Sequence, residues 1–220
     1  MSKPRTILAV QAFPRAVDIV ARHFPYYQMA GADVMLGIGT VGDPFHWPKG
    51  MESTQIGIDG YLIERHLPKR LLDTLEACLN PKYGAERIVV IEYDAVFLKP
   101  IPETPDGFCA LEAGGRPTPE FKCERFFHCP WIFDRDTAAT VVVVGREMIS
   151  EGELEHGSPD CFLGLLVDRF GIKTTHLAGN FSKNSLDIER DLLAARDAVR
   201  AGAWAVHGVK TEAQLKALIS

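Results

Sequence analysis

Arg87-Ile88-Val89-Val90-Ile91-Glu92-Tyr93-Asp94 is the stretch on which the reading of this chain turns. Its four consecutive β-branched residues suit a strand covered on both faces, as the strands of parallel sheets are. Two carboxylates then follow, two residues apart, and on an extended chain side chains at that spacing point the same way. The carboxyl ends of strands are where open parallel sheets bind ligands. An oxygen pair there suits a hard divalent cation, Mg²⁺ or Mn²⁺, held against a diphosphate. The plainer alternative is that Glu92 and Asp94 only solubilise a strand end.

The flanking sequence supplies companions for that strand. Ile7-Leu8-Ala9-Val10 reads as a first buried strand. Pro14 sits where a first helical turn tolerates it, and Val17, Val20, Ala21 and Phe24 mark one apolar helix face. Val34 to Ile38 is a second strand, completing a strand–helix–strand crossover. Gly39 to Glu64, rich in Gly, Pro and polar residues, reads as a long surface connection. Leu71, Leu72, Leu75, Cys78 and Leu79 form the stripe of the next helix, which Asn80-Pro81 stops.

Further along, strands are expected at Phe108 to Leu111, Lys173 to Leu177 and Ala203 to Val206. Val141 to Val144 is β-branched, but Asp134 can cap a helix running through Ala138 and Ala139 towards Met148, and helix is the expectation. Helices are also expected at Asp160 to Phe170, ended by Gly171, and through Ile188, Leu192, Ala195 and Val199. A last helix opens on a Thr211/Gln214 capping box. Alternating strands and helices define the fold class as α/β: one domain over residues 1–220, an open, mostly parallel sheet flanked by helices, Rossmann-like in layout.

Composition bounds the function more than it names it. The chain has 220 residues, 46% hydrophobic and 24% charged, enough to bury a core without staples. A net charge of -5 gives no long-range attraction to nucleic acid or anionic membranes. No apolar run approaches the roughly 20 residues that cross a bilayer. Ile7 to Val10 is too short for a signal-peptide core, so no transmembrane segment and a cytoplasmic location are expected. The five cysteines, odd in number and widely spaced, read as free thiols of a reducing cytosol, and Cys123, His128 and Cys129 lack the C-x-x-C pair and second half-site of a zinc site. No Walker A pattern, dinucleotide fingerprint, G-x-S-x-G elbow or H-E-x-x-H occurs.

Three segments, in order, resemble the GT-A-fold glycosyltransferases, loosely the glycogenin-like retaining members. The apolar strand ending in Glu92-Tyr93-Asp94 resembles their Asp-x-Asp metal motif, with Glu92 in place of the usual first Asp. Ser158-Pro159-Asp160 resembles the acidic motif that opens a helix under the acceptor site. Trp204-Ala205-Val206-His207-Gly208-Val209-Lys210 resembles their late His-Gly-x-Lys segment. The resemblance implies a Mn²⁺- or Mg²⁺-dependent transferase taking a sugar from a nucleotide-diphosphate sugar to an unknown acceptor. It implies that Asp94, His207 and Glu92 hold the metal, Glu92 otherwise touching ribose, and that Lys210 touches the diphosphate. Phe126 to Trp131 is unlike the corresponding family segment.

The remaining candidates each carry a plain alternative. Asp160 is either the catalytic residue, orienting an acceptor hydroxyl or removing its proton, or a helix cap. Gln11, Phe13 and Arg15 follow the first strand, where donor binding is expected: Phe13 stacks on a base or packs as a staple, and Arg15 reaches a phosphate. His128 and Trp131 line an acceptor pocket, or Trp131 is core. Two rival functions remain: a catalytically silent nucleotide-sugar-binding protein and a sugar-phosphate nucleotidyltransferase. The latter should carry a Gly- and basic-rich loop after the first strand, which Gln11 to Arg15 matches poorly.

Overall fold

The computed structural model describes residues 3–41, 46–59, 67–114, 125–151, 158–183, 186 and 190–220. In chain order the elements are β1 (Thr6–Gln11), α1 (Val17–Met29), β2 (Val34–Val41), β3 (Glu52–Asp59), α2 (Leu67–Cys78), β4 (Arg87–Glu92), β5 (Val96–Phe97) and β6 (Phe108–Gly114). They continue with β7 (Arg125–Asp134), α3 (Arg135–Ser150), α4 (Pro159–Phe170), β8 (Thr174–His176), β9 (Asn180–Ser182), α5 (Asp191–Arg200), β10 (Ala205–His207) and α6 (Glu212–Ile219).

A seven-stranded sheet runs in the order β3-β2-β1-β4-β7-β6-β8. All neighbours are parallel except β7, which is antiparallel to both β4 and β6. From β1 the chain crosses to β2 on one side; from β3 it returns past β1 to β4 on the other. Right-handed crossovers in opposite directions put α1 and α2 on opposite faces. They also make the β1/β4 junction the switch point of the sheet, with a crevice outside the carboxyl ends of both strands. Glu92 and Gln11 face each other in register at that end.

The core follows the sequence pattern. Ile7 to Val10 and Ile88 to Ile91 are all 0% exposed, each large side chain contributing about 1.5–3 kcal/mol on full burial. A second sheet, β5-β10-β9, sits beside the first and has its own small core. Val96, Leu192, Ala195, Val206, Val209, Leu215 and Leu218 fill that core. The expected capping box is formed, Thr211 accepting from the Gln214 amide. Asp134 caps α3, accepting from the Thr137 amide, so Val141 to Val144 is helical as expected.

Four expectations are corrected. Gly39 to Glu64 is not one connection: β2 runs on to Val41, and β3 is an edge strand whose mostly exposed residues hid its pattern. β7 was not foreseen, because Pro130 interrupts it and proline cannot donate to a ladder. The β6–β7 register shifts between Cys109 and Leu111, and neither ladder pairs Pro130, so the break is absorbed there. On α1 the fully buried positions are Val20, His23 and Tyr27; of the expected stripe Val20 is buried and Phe24 half-buried, whereas Val17 and Ala21 are exposed. Cys161 is disulfide-bonded rather than free, to a partner outside the described residues. Cys78, Cys109 and Cys129 are free. Cys123 and Ile188 also lie outside the described residues.

No helix among the described residues is long and apolar enough to cross a membrane.

The site's geometry depends on α4 lying close to β7. Gly164 permits it: a β-carbon there would collide with the carbonyl oxygen of Arg125. Gly164→Ala is expected to lower stability by about 1–3 kcal/mol through overpacking. Urea unfolding measures the loss, and an unchanged midpoint would mean that α4 yields freely.

Candidate metal and ligand site at the sheet switch point

Glu92 ends β4 as the sequence places it, whereas Asp94 lies in the turn just beyond instead of on the extended strand, and what both meet comes from the far end of the chain. The Glu92 carbonyl accepts from the Ala95 amide at 3.1 Å, so the chain turns at once and Asp94 enters the crevice. The Asp94 carbonyl accepts from the Gly208 and Val209 amides at 3.2 and 2.9 Å. That double bond ties the turn to the segment after β10. Gly208 has φ 98°, a backbone conformation that a side chain would strain.

His207, at the end of β10, therefore lies against both carboxylates. Its Nε2 is 2.9 Å from Glu92 Oε2 and 3.1 Å from Asp94 Oδ1. One ligand atom from each of Glu92, Asp94 and His207 lies within 4.8 Å of the others. Lys210 Nζ is 3.6 Å from Asp94 Oδ2. The structure thus brings together Glu92, Asp94, His207 and Lys210.

Electrostatics follow from burial. Asp94 and His207 have 3% and 6% of their side chains exposed, Glu92 33%. Burial works against charging His207, but Asp94 and Glu92 outweigh it and lift its pKa to about 10. Burial likewise disfavours the Glu92 carboxylate, and the hydrogen bond and charge of His207 overcome this and lower its pKa. Without a metal the centre is therefore an imidazolium between two carboxylates. The single Nε2 proton is directed at Glu92, which leaves Asp94 Oδ1 buried and without a hydrogen bond despite its closeness to the ring.

That orphaned oxygen is what a cation would satisfy. Two carboxylates and one imidazole can hold a divalent ion, and metal binding would displace the Nε2 proton. Ser182 Oγ, 3.0 Å from His207 Nδ1, accepts from the Nδ1–H and so holds the ring with Nε2 facing the carboxylates. Nothing in the sequence pointed to Ser182, because it joins the site only through the β9–β10 pairing.

Asp160 lies in the first turn of α4, after Ser158, whose hydroxyl accepts from the Asp160 amide at 3.2 Å. Its Oδ2 is 3.8 Å from His128 Nδ1 on β7. Burial, reinforced by the Glu92 carboxylate, raises the Asp160 carboxyl to a pKa of about 7. Burial, then His207 and Lys183, lowers that of His128. Trp131 is core, 1% exposed.

The loop after β1 departs from expectation. Gln11, expected to bind donor, is 4% exposed and gives its amide to Thr74 Oγ1 at 2.8 Å, so its side chain is spent between β1 and α2. Phe13 is half-buried with its ring edge-on to Tyr93, centroids 4.8 Å apart, which favours its packing role. Arg15 is exposed. A cation that sequence reasoning missed, Arg70 of α2, is buried beside this loop and donates to the Ala12 carbonyl at 2.9 Å. Its charge also favours the ionised form of Glu92. The hydrophobic stripe around it, Leu71, Leu72 and Leu75, masked its position in the sequence.

No protein-family model matches the chain, and no curated protein matches it either. Fold and site together define an α/β protein with a mostly parallel sheet and a group, Glu92-Asp94-His207, able to hold a metal ion at its switch point.

The raised pKa of Asp160 makes folding stability depend on pH in a definite direction. A carboxyl that titrates near 3.8 unfolded and about 7 folded holds more protons in the native state between those values. The contribution of Asp160 to stability is then largest below 3.8, falls as pH rises through that window and levels off above about 7. Asp160→Asn removes this penalty, so its melting temperature should gain on the wild type between pH 4 and 7 and run parallel above. Parallel curves throughout would show that Asp160 ionises normally.

Proposed function

We propose that this chain is a glycosyltransferase that moves a sugar from a nucleotide-diphosphate sugar to an acceptor hydroxyl with Mn²⁺ or Mg²⁺. The observation that carries the reading is the convergence of Glu92, Asp94 and His207 at the carboxyl end of β4, with Lys210 beside them. The GT-A resemblance predicts that combination from two separated segments. The sheet reversal between β1 and β4 supports it further, because a crevice opens where a nucleotide would lie.

The chemistry needs charge neutralised on a departing diphosphate. Asp94, His207 and Glu92 would hold the ion, which when bound supplies positive charge to the leaving phosphates. Lys210 adds a fixed ammonium beside the same position, and a preorganised charge costs no reorganisation during reaction. Asp160, with a pKa of about 7, is suited to accept a proton from the acceptor hydroxyl near neutrality. His128, its Nδ1 3.8 Å from that carboxyl, lines the same side. The first loop carries Phe13 and a short 3₁₀ turn (Pro14–Ala16) instead of a glycine-rich cradle, which weighs against a nucleotidyltransferase.

Thermal denaturation with UDP, GDP and CDP, each with and without Mn²⁺, tests the reading. A diphosphate at 100 times its Kd should stabilise the fold by about 2.7 kcal/mol, only with metal present. Asp94→Ala should abolish that metal-dependent gain. No shift with any of the three, or a gain unchanged in Asp94→Ala, overturns the assignment. Binding without release of free sugar from the matching nucleotide-sugar would make the chain a silent binder.

A further inference from the structure

Helix α1 buries two polar aromatic residues where its sequence offered valine and phenylalanine. His23 and Tyr27 are both 0% exposed, and both point at one atom, the carbonyl oxygen of Tyr93. Tyr27 donates its hydroxyl to it at 2.5 Å, and His23 Nδ1 lies 3.2 Å from it. The His23 ring is edge-on to Tyr27, centroids 6.2 Å apart. Burial depresses the His23 pKa to about 4, so the ring is neutral and its one proton, on Nδ1, serves this carbonyl. Nε2 is then a buried lone pair with no hydrogen-bond partner among the described residues. An apolar residue of similar size would avoid that cost. What the histidine gains in return is its hold on Tyr93.

That carbonyl matters because of where it lies. A peptide unit is planar, so fixing the Tyr93 oxygen fixes the plane that leads into Asp94. The next plane is fixed by the Gly208 and Val209 amides on the Asp94 carbonyl. Asp94 is thus pinned on both sides, by α1 on one and by the segment after β10 on the other. The neighbouring Arg22 also donates to the Lys210 carbonyl at 3.4 Å, so the same helix braces both halves of the site.

We propose that Tyr27 and His23 are positioning residues of the metal centre, aiming the Asp94 carboxylate at the ion by holding the Tyr93 carbonyl. The proposal rests on the metal reading of Glu92, Asp94 and His207. Partners that orient metal ligands from behind typically govern affinity 10–100-fold, and Tyr27→Phe, which deletes one hydroxyl, should weaken Mn²⁺ binding by about 10-fold. Mn²⁺ alone is the probe, with the free ion counted by electron paramagnetic resonance during titration of the whole chain. Val20→Ala, on the same buried face but with no hydrogen bond to give the carbonyl, should lower stability and leave Mn²⁺ affinity unchanged. His23→Leu should repeat the loss, and His23→Asn, whose amide nitrogen stands near the place of Nδ1, should retain affinity. Wild-type affinity in Tyr27→Phe, or an equal loss in Val20→Ala, overturns the proposal. Equal losses in His23→Leu and His23→Asn remove His23 from it. A wild-type chain that binds no Mn²⁺ removes the metal reading itself, and that result is read before any variant.

Discussion

A carboxylate cannot be buried unpaired, and Asp94, 2% exposed, is the place where this constraint shapes the molecule. Its cationic partners, His207 of the second sheet and Lys210 just after it, lie more than a hundred residues further along the chain. Closing that distance folds β10 and the segment after it against the end of β4. The backbone amides of Gly208 and Val209 then reach the Asp94 carbonyl. Removing one partner from such a group leaves a charge stranded, which is far more costly than never burying the pair. The small core around β5, β10, α5 and α6 is best understood as the scaffold that delivers His207 and Lys210 to this one turn.

The same turn is met from other sides. α1 supplies Tyr27 and His23 to the Tyr93 carbonyl, and the Glu92 amide donates to the Cys129 sulfur of β7 at 3.4 Å. α4, brought close to β7 by Gly164, sets Asp160 near enough to Glu92 for that carboxylate to add to the rise in its pKa. A site assembled from so many elements is rigid where charge must be placed within a fraction of an ångström. Solvent reaches it at Glu92 and Lys210, whose side chains are 33% and 37% exposed.

Legibility in the sequence followed the range of the interaction. β1 and β4 were plain because a strand buried on both faces needs nothing but apolar residues. α3 and α6 were legible from Asp134 and from Thr211 with Gln214, whose side chains bond amides within three residues. β3 was hidden because an edge strand exposes most of its side chains, and β7 because Pro130 breaks its pattern. The stripe of α1 was misread because periodicity assumes that the buried face is apolar, whereas His23 and Tyr27 are buried for a hydrogen bond to Tyr93. Gln11 was misread for the complementary reason: a polar residue at a strand end is not free if a helix threonine has already taken its amide.

By itself the sequence determined the α/β class, the strand that ends in Glu92-Tyr93-Asp94, and the presence of His207, Lys210 and Asp160 as candidates. Hydrophobic periodicity, caps and short motifs are local, and each is written within a few neighbouring residues. The tertiary structure decided which of those candidates share one centre. The His207–Glu92 contact spans 115 positions, and no local pattern encodes a separation of that length. It also decided their protonation, because a carboxyl raised to about 7 at Asp160 and an imidazole raised to about 10 at His207 arise from burial and from neighbours that only the folded chain supplies.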